Sequence, residues 1–171
     1  GLKKCLTSID KLDYPKDRIE TIIIEGPETV PVKVQKGYEK STGEYIVYGA
    51  NDMEFHPESI RKALFLSKKE DKGLVAFNSG ELSPDNGNIC EHFMISKSLV
   101  KQLGGIFDTR FHHVGVDNLL WKKASNVGQA IRSEGAKIIH NHFSKGGIYD
   151  EIYDKGWKMA ERDRELLSRI I

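Results

Sequence analysis

Two acidic residues follow a predicted strand, and their side chains could hold a divalent cation. Residues 44 to 48 are rich in aromatic and β-branched side chains, which is typical of a strand, and Asp52 and Glu54 come a few positions later. In open α/β sheets, ligands collect at the carboxyl ends of the strands. Carboxylates there suit Mg²⁺ or Mn²⁺, whose other ligands are often phosphate oxygens and water. The alternative is a solvated loop in which Asp52 forms an Asx turn.

A third acid, Asp117, lies at the start of a predicted helix that carries Leu119, Leu120 and Trp121. The dipole and the free N–H groups at a helix N-terminus favour the ionised form of a carboxyl group. Asp117 can therefore cap this helix or act as a general base, and one residue can do both.

The histidines offer a second set of metal ligands, because imidazole suits Zn²⁺ and Fe²⁺. His112 and His113 are adjacent, and His140 and His142 are two positions apart, but no pair has the helical HExxH spacing. Strand alternation would place His140 and His142 on one side, so that one of them could contact a bound metal or diphosphate. The alternative for all of them is a structural or surface hydrogen bond. We expect His92 to be an ordinary loop or edge residue.

The order of the predicted elements indicates an α/β protein. They are a helix at 2–9, strands at 19–24 and 30–34, a brief helix at 37–42, a strand at 44–48, a helix at 58–67, strands at 74–77 and 93–95, a helix from Ser96 to Gly104, a helix opening near Asp117, a strand at 137–139 and a helix at 151–169, with a surface loop at 78–88. Alternating strands and helices predict a mixed, mostly parallel sheet flanked by helices on both faces. The mixed charges of the last helix predict a solvated face.

Composition excludes several classes of protein. The chain has 171 residues and a mass of 19.3 kDa, with 39% hydrophobic and 30% charged residues, which fits one globular domain. The formal charge of +1 gives no bulk attraction to nucleic acid or to anionic membranes. No apolar run approaches the roughly 20 residues that a transmembrane helix needs. We expect a cytoplasmic protein without a nucleic-acid partner, and peripheral association with the inner face of a membrane stays open.

Three blocks of the sequence, in chain order, resemble glycosyltransferase family 2, whose members have the Rossmann-like GT-A fold. The first runs from Leu2 through Tyr14-Pro15 to Glu25 and resembles the family's first helix and second strand. The second, Gly37-to-Gly43 and Glu44-Tyr45-Ile46 leading to Asn51-Asp52-Met53-Glu54, is similar to the passage before and within the family's Asp-x-Asp region. The third, Gly104-Gly105-Ile106-Phe107-Asp108 followed by Gly115-Val116-Asp117, resembles the block that carries its catalytic base.

The resemblance implies an inverting glycosyltransferase of the hexosyltransferase type, acting in polysaccharide biosynthesis. A sugar would move from a nucleotide-diphospho-sugar, such as a UDP-sugar, to a hydroxyl of a glycan or lipid-linked acceptor, with Mn²⁺ or Mg²⁺ as cofactor. The implied roles are Asp117 as catalytic base, Asp52, Glu54 and His142 as metal ligands, and Glu25, Asn51, Asp52, Gly105 and Gly115 as the nucleotide-sugar site.

The sequence departs from the family pattern in two places. The family begins with a strand that precedes its first helix, whereas this sequence starts at that helix, so we expect a single domain over 1–171 that is incomplete at its N-terminus. Between Glu25 and Gln35 the family usually has more residues, often with a helix. An alternative is therefore a noncatalytic GT-A-like module that binds a nucleotide sugar or a protein. A sugar nucleotidyltransferase is less favoured, because the sequence has no Gly-rich phosphate loop near its start.

Overall fold

The computed structural model describes residues 1–80, 89–141 and 158–171. Six α-helices and five strands in these ranges form the framework, and a short 3-10 helix spans Lys16–Arg18. The helices are α1 (Leu2–Asp10), α2 (Val30–Lys40), α3 (Ser59–Glu70), α4 (Lys97–Leu103), α5 (Val116–Asn126) and α6 (Ala160–Ile170). The strands are β1 (Tyr45–Tyr48), β2 (Met53–Phe55), β3 (Leu74–Asn78), β4 (Phe93–Ser96) and β5 (Ala130–His140).

The strands form one mixed sheet in the order β1-β4-β3-β5-β2. β3 pairs with β5 in parallel, and the β1–β4, β3–β4 and β2–β5 pairs are antiparallel. The α/β architecture with a mixed sheet is confirmed. The expected parallel majority is not seen among these pairings, because β4 returns antiparallel beside β3 and β2 runs antiparallel to β5.

Helices cover both faces of the sheet, as the alternation of elements predicts. Successive residues of β3 and β4 point to opposite faces, so Leu74 and Phe93 join one apolar cluster while Val75 and Met94 join the other. α4 and α5 pack on the first cluster, with α2 and α6 at its margin, and α1 and α3 pack on the second. Because both faces are buried, β3 and β4 have near-continuous apolar sequences.

Two strands expected near the N-terminus are not part of the sheet. Residues 19 to 24 are extended and lie beside α2, where the Glu20 carboxylate accepts hydrogen bonds from the Thr42 N–H at 2.9 Å and its hydroxyl at 3.2 Å. No strand pairing in the described part of the chain includes them. Residues 30 to 34 begin α2 instead, because Pro31 is tolerated in a first turn and Val30 and Val34 lie one helical turn apart against the core.

Other predicted elements agree closely with the structure. The Ser96 hydroxyl accepts a hydrogen bond from the Leu99 N–H at 3.2 Å and so caps α4, which ends at Gly104 with a φ of +79°. β5 is longer than the predicted strand, because its first half pairs with β3 and its second half with β2. Most of the predicted loop at 78–88 and the first part of the predicted last helix lie outside the described residues. Across the described ranges, no helix is both long enough and apolar enough to cross a bilayer.

Candidate functional site

The negative charges of Asp52 and Asp117 both influence one partly buried tyrosine, Tyr48. β1 ends at Tyr48, whose ring packs edge-on against Phe107 with centroids 5.4 Å apart and also contacts His92 at 5.8 Å. Burial raises the pKa of the Tyr48 phenol, and the negative charges of Asp117 and Asp52 raise it further. Both acids therefore lie within electrostatic reach of Tyr48, although they are far apart in the sequence.

His140, the last residue of β5, lies between two carboxylates. Its Nε2 is 3.5 Å from Oδ2 of Asp52, and its Nδ1 is 3.5 Å from Oε2 of Glu91. Burial by itself lowers the pKa of this imidazole, but the hydrogen bonds and charges of Asp52 and Glu91 outweigh that effect and raise the pKa to about 9. At neutral pH the group is a partly buried imidazolium flanked by two anions.

The ring of His92 packs against this cluster. Its ring is 4% exposed and meets the His140 ring edge-on, with centroids 4.6 Å apart and an interplanar angle of 86°. His92 lies in the loop just before β4, which agrees with the prediction of a loop residue, but its ring is buried against His140. Sequence reasoning missed this contact because it joins residues on separate strands of the sheet.

Asp117 lies in the first turn of α5, where the N-cap position belongs to Gly115 with a φ of +84°. The Asp117 Oδ1 accepts a hydrogen bond from the Asn118 N–H at 3.0 Å, and the Cys90 thiol donates to the Asp117 carbonyl at 3.3 Å. Burial raises the pKa of Asp117 to about 6 against the lowering effect of the backbone N–H groups, and the charge of Glu91 adds to the rise. The side chain is thus not the helix cap, and its pKa is close to that of a useful base at neutral pH.

The C-terminal helix holds the loop that leads to Asp117. Asp163 of α6 is fully buried, and its carboxylate accepts hydrogen bonds from the backbone N–H groups of His112 at 2.9 Å, His113 at 2.7 Å and Val114 at 3.0 Å. The prediction of a solvated face is therefore wrong at Asp163. Positions 160, 163, 166 and 167 share one helical face, and this period is the signal that identifies Asp163 as inward-facing.

The same helix covers Gly115. A Cβ added there would lie 3.1 Å from Cδ2 of Leu167, so α6 packs against the bare backbone just before Asp117. Gly115 is a predicted nucleotide-sugar residue, and in the structure its Cα hydrogen faces a helix.

The Gly-Gly-Ile-Phe-Asp block has a packing role. Gly105 has a φ of +140°, and a Cβ there would approach the Gln35 side chain of α2 at 3.7 Å. Phe107 is buried against Tyr48. Arg110 donates to both carboxylate oxygens of Asp108, which lowers the pKa of that carboxyl. The block thus supplies Phe107, which packs against the ring of Tyr48.

Three other predicted site residues lie apart from Asp117. Glu25 is exposed at the end of the extended segment beside α2, and Asn51 is exposed in a turn next to the start of α1. The Glu54 carboxylate accepts a hydrogen bond from the Asn141 side chain at 3.0 Å and lines an open groove beside α1. Within the described ranges, no hydrogen bond or ion pair joins any of the three to Asp117. His142 lies outside those ranges.

The fit of a divalent cation depends on Asp52. Among the described residues, no group of three or more His, Cys, Asp and Glu side chains is arranged to hold a metal ion. Asp52 contacts His140, and Glu54 is bound by Asn141. Because Mg²⁺ is commonly held by one or two carboxylates together with substrate phosphates, the carboxylate of Asp52 fits a cation that takes most of its ligands from a donor diphosphate and water.

Comparison with solved structures identifies the fold. No protein-family model matches the chain, and no curated protein sequence matches it either. S. aureus TarS 1-349 in complex with UDP-GlcNAc superposes with a TM-score of 0.64 at 11% identity, over 80% of this chain and 53% of that one. The mannosyltransferase PcManGT from Pyrobaculum calidifontis, in complex with GDP-Man and Mn²⁺, gives 0.61 at 16% identity, over 81% and 52%. S. aureus TarS itself gives 0.65 at 12% identity, over 92% and 36%.

These likenesses show a GT-A-like fold, the fold of nucleotide-sugar transferases. The chain spans about half the length of the TarS 1-349 and PcManGT chains that it matches. At such low identities the comparison concerns the fold, and the function is argued from the site.

Proposed function

We propose that this chain is part of an inverting glycosyltransferase that moves a sugar from a nucleotide-diphospho-sugar to an acceptor hydroxyl. The carrying observation is a chain of contacts that leads from one acid to the other: Asp52 and Glu91 flank His140 at 3.5 Å each, and the thiol of Cys90, next to Glu91, donates to the Asp117 carbonyl. The GT-A-like fold supports the proposal, as do structural neighbours that bind UDP-GlcNAc or GDP-Man.

Asp117 acts as the general base in this proposal. Its carboxylate takes the proton of the acceptor hydroxyl while that oxygen forms a bond to the anomeric carbon. The bond from that carbon to the diphosphate breaks on the opposite side, with its electron pair, and the configuration inverts in one displacement. With a pKa of about 6, the carboxyl group is ionised in about nine of ten molecules at pH 7.

Asp52 and His140 act at the diphosphate end. A divalent cation such as Mn²⁺ or Mg²⁺, when bound, would neutralise charge that develops on the departing diphosphate. Asp52 would hold that cation, with Glu54 and His142 as further proposed ligands. His140 and Glu91 keep the Asp52 side chain in place through the two 3.5 Å contacts.

Binding of the nucleotide sugar completes the proposal. Glu25 is assigned to the nucleoside, and Asn51, Gly105 and Gly115 are assigned to the donor pocket. Since Gly105 and Gly115 face α2 and α6 respectively, they would act by shaping the backbone beside the donor.

The test uses Asp117→Asn, with transfer measured against a panel of UDP-, GDP- and dTDP-sugars and donor binding measured by calorimetry. We expect transfer to fall at least a hundredfold, in the range of losses for a missing general base, while the donor dissociation constant changes less than twofold. Asp108→Asn is the matched control, because it removes an acid in the same block that is paired with Arg110. Transfer by Asp117→Asn at the parent rate would overturn the assignment of the base.

The second candidate is a noncatalytic module that binds a nucleotide sugar. The segment at residues 19 to 24, which joins no strand of the sheet, favours it. A parent protein that binds UDP but transfers no sugar from any donor of the panel would support this alternative.

A further inference from the structure

Residues 89 to 91, which we call the bridging segment, contact three different parts of the chain in succession. The Ile89 carbonyl accepts a hydrogen bond from the guanidinium of Arg132. The Cys90 thiol donates to the Asp117 carbonyl at 3.3 Å, and Oε2 of Glu91 is 3.5 Å from Nδ1 of His140. The bridging segment therefore touches α5 at the proposed base and the end of β5 at the Asp52–His140 contact.

Arg132 joins the bridging segment to α5. It lies on β5 opposite Ala76 of β3, and its guanidinium lies over the ring of Trp121, 4.9 Å from the ring centroid. Trp121 follows Asp117 by four residues on α5, so the two share one side of that helix. One planar guanidinium can thus donate to the Ile89 carbonyl from its edge while its face stacks on an aromatic ring. The proposed transfer assigns no role to Arg132.

The Cys90 thiol lies at the centre of these contacts. It is 1% exposed. Burial raises the pKa of the thiol well above its ordinary value, the charge of Asp117 adds to the rise, and the charge of Arg132 opposes it. At neutral pH the thiol therefore keeps its proton and remains a donor to the Asp117 carbonyl.

We propose that Arg132 is a positioning residue for the transfer, because it holds the bridging segment against α5 and so fixes the distance between Asp117 and the Asp52–His140 contact. In a direct displacement the base and the leaving diphosphate act on opposite sides of one carbon. A displacement of about 1 Å between such groups can cost about a hundredfold in rate. The inference rests on the proposed function, because the distance matters only if the two acids act in one reaction.

The first test uses the two free cysteines, which lie in separate apolar clusters. Arg132→Met keeps a similar side-chain length and removes the charge, the donors and the planar group. Alkylation of each cysteine by iodoacetamide is followed by mass spectrometry. We expect Cys90 to react at least tenfold faster in Arg132→Met than in the parent, while Cys5 on the other face of the sheet stays within twofold. A general loss of stability would accelerate both cysteines together.

The second test measures transfer with the same variant. We expect kcat to fall at least tenfold while the dissociation constant of the donor, measured by calorimetry, changes less than twofold, since Arg132 acts through the position of the base. Arg61→Met is the matched control, because it removes an arginine that pairs with Asp13 and Glu58 on the other face of the sheet. It should leave both cysteines and kcat unchanged within twofold.

Arg132→Lys repeats both tests if the methionine variant does not fold. It keeps the charge and a donor for the Ile89 carbonyl but loses the planar stack on Trp121, so we expect changes in the same direction of about threefold.

Three results would overturn the inference: labelling of Cys90 at the parent rate, equal acceleration at both cysteines, or transfer at the parent rate despite faster labelling of Cys90. The two proposals fail separately. A parent that transfers no sugar contradicts the proposed function, and the labelling then still decides whether Arg132 holds the bridging segment. A parent that transfers sugar, with an Arg132→Met variant that matches it in kcat, contradicts the role of Arg132 alone.

Discussion

Two loops of this molecule each lead into a helix, and they are held in different ways. Residues 112 to 115 precede α5 and are fixed by the buried carboxylate of Asp163 through three backbone N–H groups. Residues 25 to 29 precede α2 and are held at the surface, where Lys33 donates to the Gly26 carbonyl at 3.2 Å and Lys36 pairs with Glu28. Exposed ion pairs contribute little to stability, whereas buried charge-assisted hydrogen bonds contribute more.

The difference indicates which of the two loops is held in place by buried contacts of the fold. The loop beside the proposed base is rigidly held by a helix from the far end of the chain. The loop beside the proposed nucleoside residue, Glu25, depends on contacts that solvent screens.

Replacing Asp163 should give the largest effect. Asp163→Ala leaves three N–H groups without their acceptor, and since each buried unsatisfied donor costs about 1 to 3 kcal/mol, we expect the free energy of unfolding to fall by about 3 to 5 kcal/mol. Urea denaturation measures this loss. Glu28→Gln, the matched change at the other loop, should leave the midpoint unchanged. Equal midpoints for both variants would contradict the contrast between the two loops.

Replacing Asp117 should stabilise the protein at neutral pH. Its pKa rises from 3.8 to about 6 on folding, so the folded state holds the proton more tightly, and stability from this group is full below pH 3.8 and is lost as the pH rises through about 6. Asp117→Asn should therefore gain about 1 to 3 kcal/mol at pH 7 relative to the parent, with the gain vanishing toward pH 3.5. Denaturation at several pH values measures it, and a gain independent of pH would show that the charge is not its cause.

The packing of α6 against Gly115 should give a smaller effect. Gly115→Ala forces a left-handed residue with a Cβ 3.1 Å from Leu167, whereas Gly128→Ala, at a φ of +70°, meets open space. The left-handed backbone costs each variant about 1 to 2 kcal/mol, and Gly115→Ala should lose more because of the contact. Thermal unfolding compares them. If adding Leu167→Ala recovers none of the difference, this contact does not restrain the loop.

Local patterns predict much of this fold. The apolar spacing of α1 and α3, the Ser96 cap and the glycine at 104 each act within a few residues, so the sequence displays them directly. The prediction of a strand at residues 30 to 34 was wrong, because alternating valines fit a strand as well as one face of a helix.

The candidate site was predictable only in part. Asp52 and Asp117 are identifiable from the sequence, because Asp52 follows a predicted strand and Asp117 begins a predicted helix. The helical period marks Asp163 as inward-facing, but which residues it contacts is not encoded locally, because that contact and the Glu91–His140–His92 cluster join distant parts of the chain. The mixed charges of α6 also make a buried Asp163 hard to predict, since its neighbours Arg162 and Arg164 are exposed.

The most direct test of the convergence of Asp52 and Asp117 is a crystal structure of the protein with bound UDP and Mn²⁺. We expect the diphosphate beside Asp52 and the carboxylate of Asp117 facing the same cleft, with room between them for a sugar. A diphosphate bound away from Asp52, or an Asp117 carboxylate that faces the opposite side of the molecule, would contradict the account.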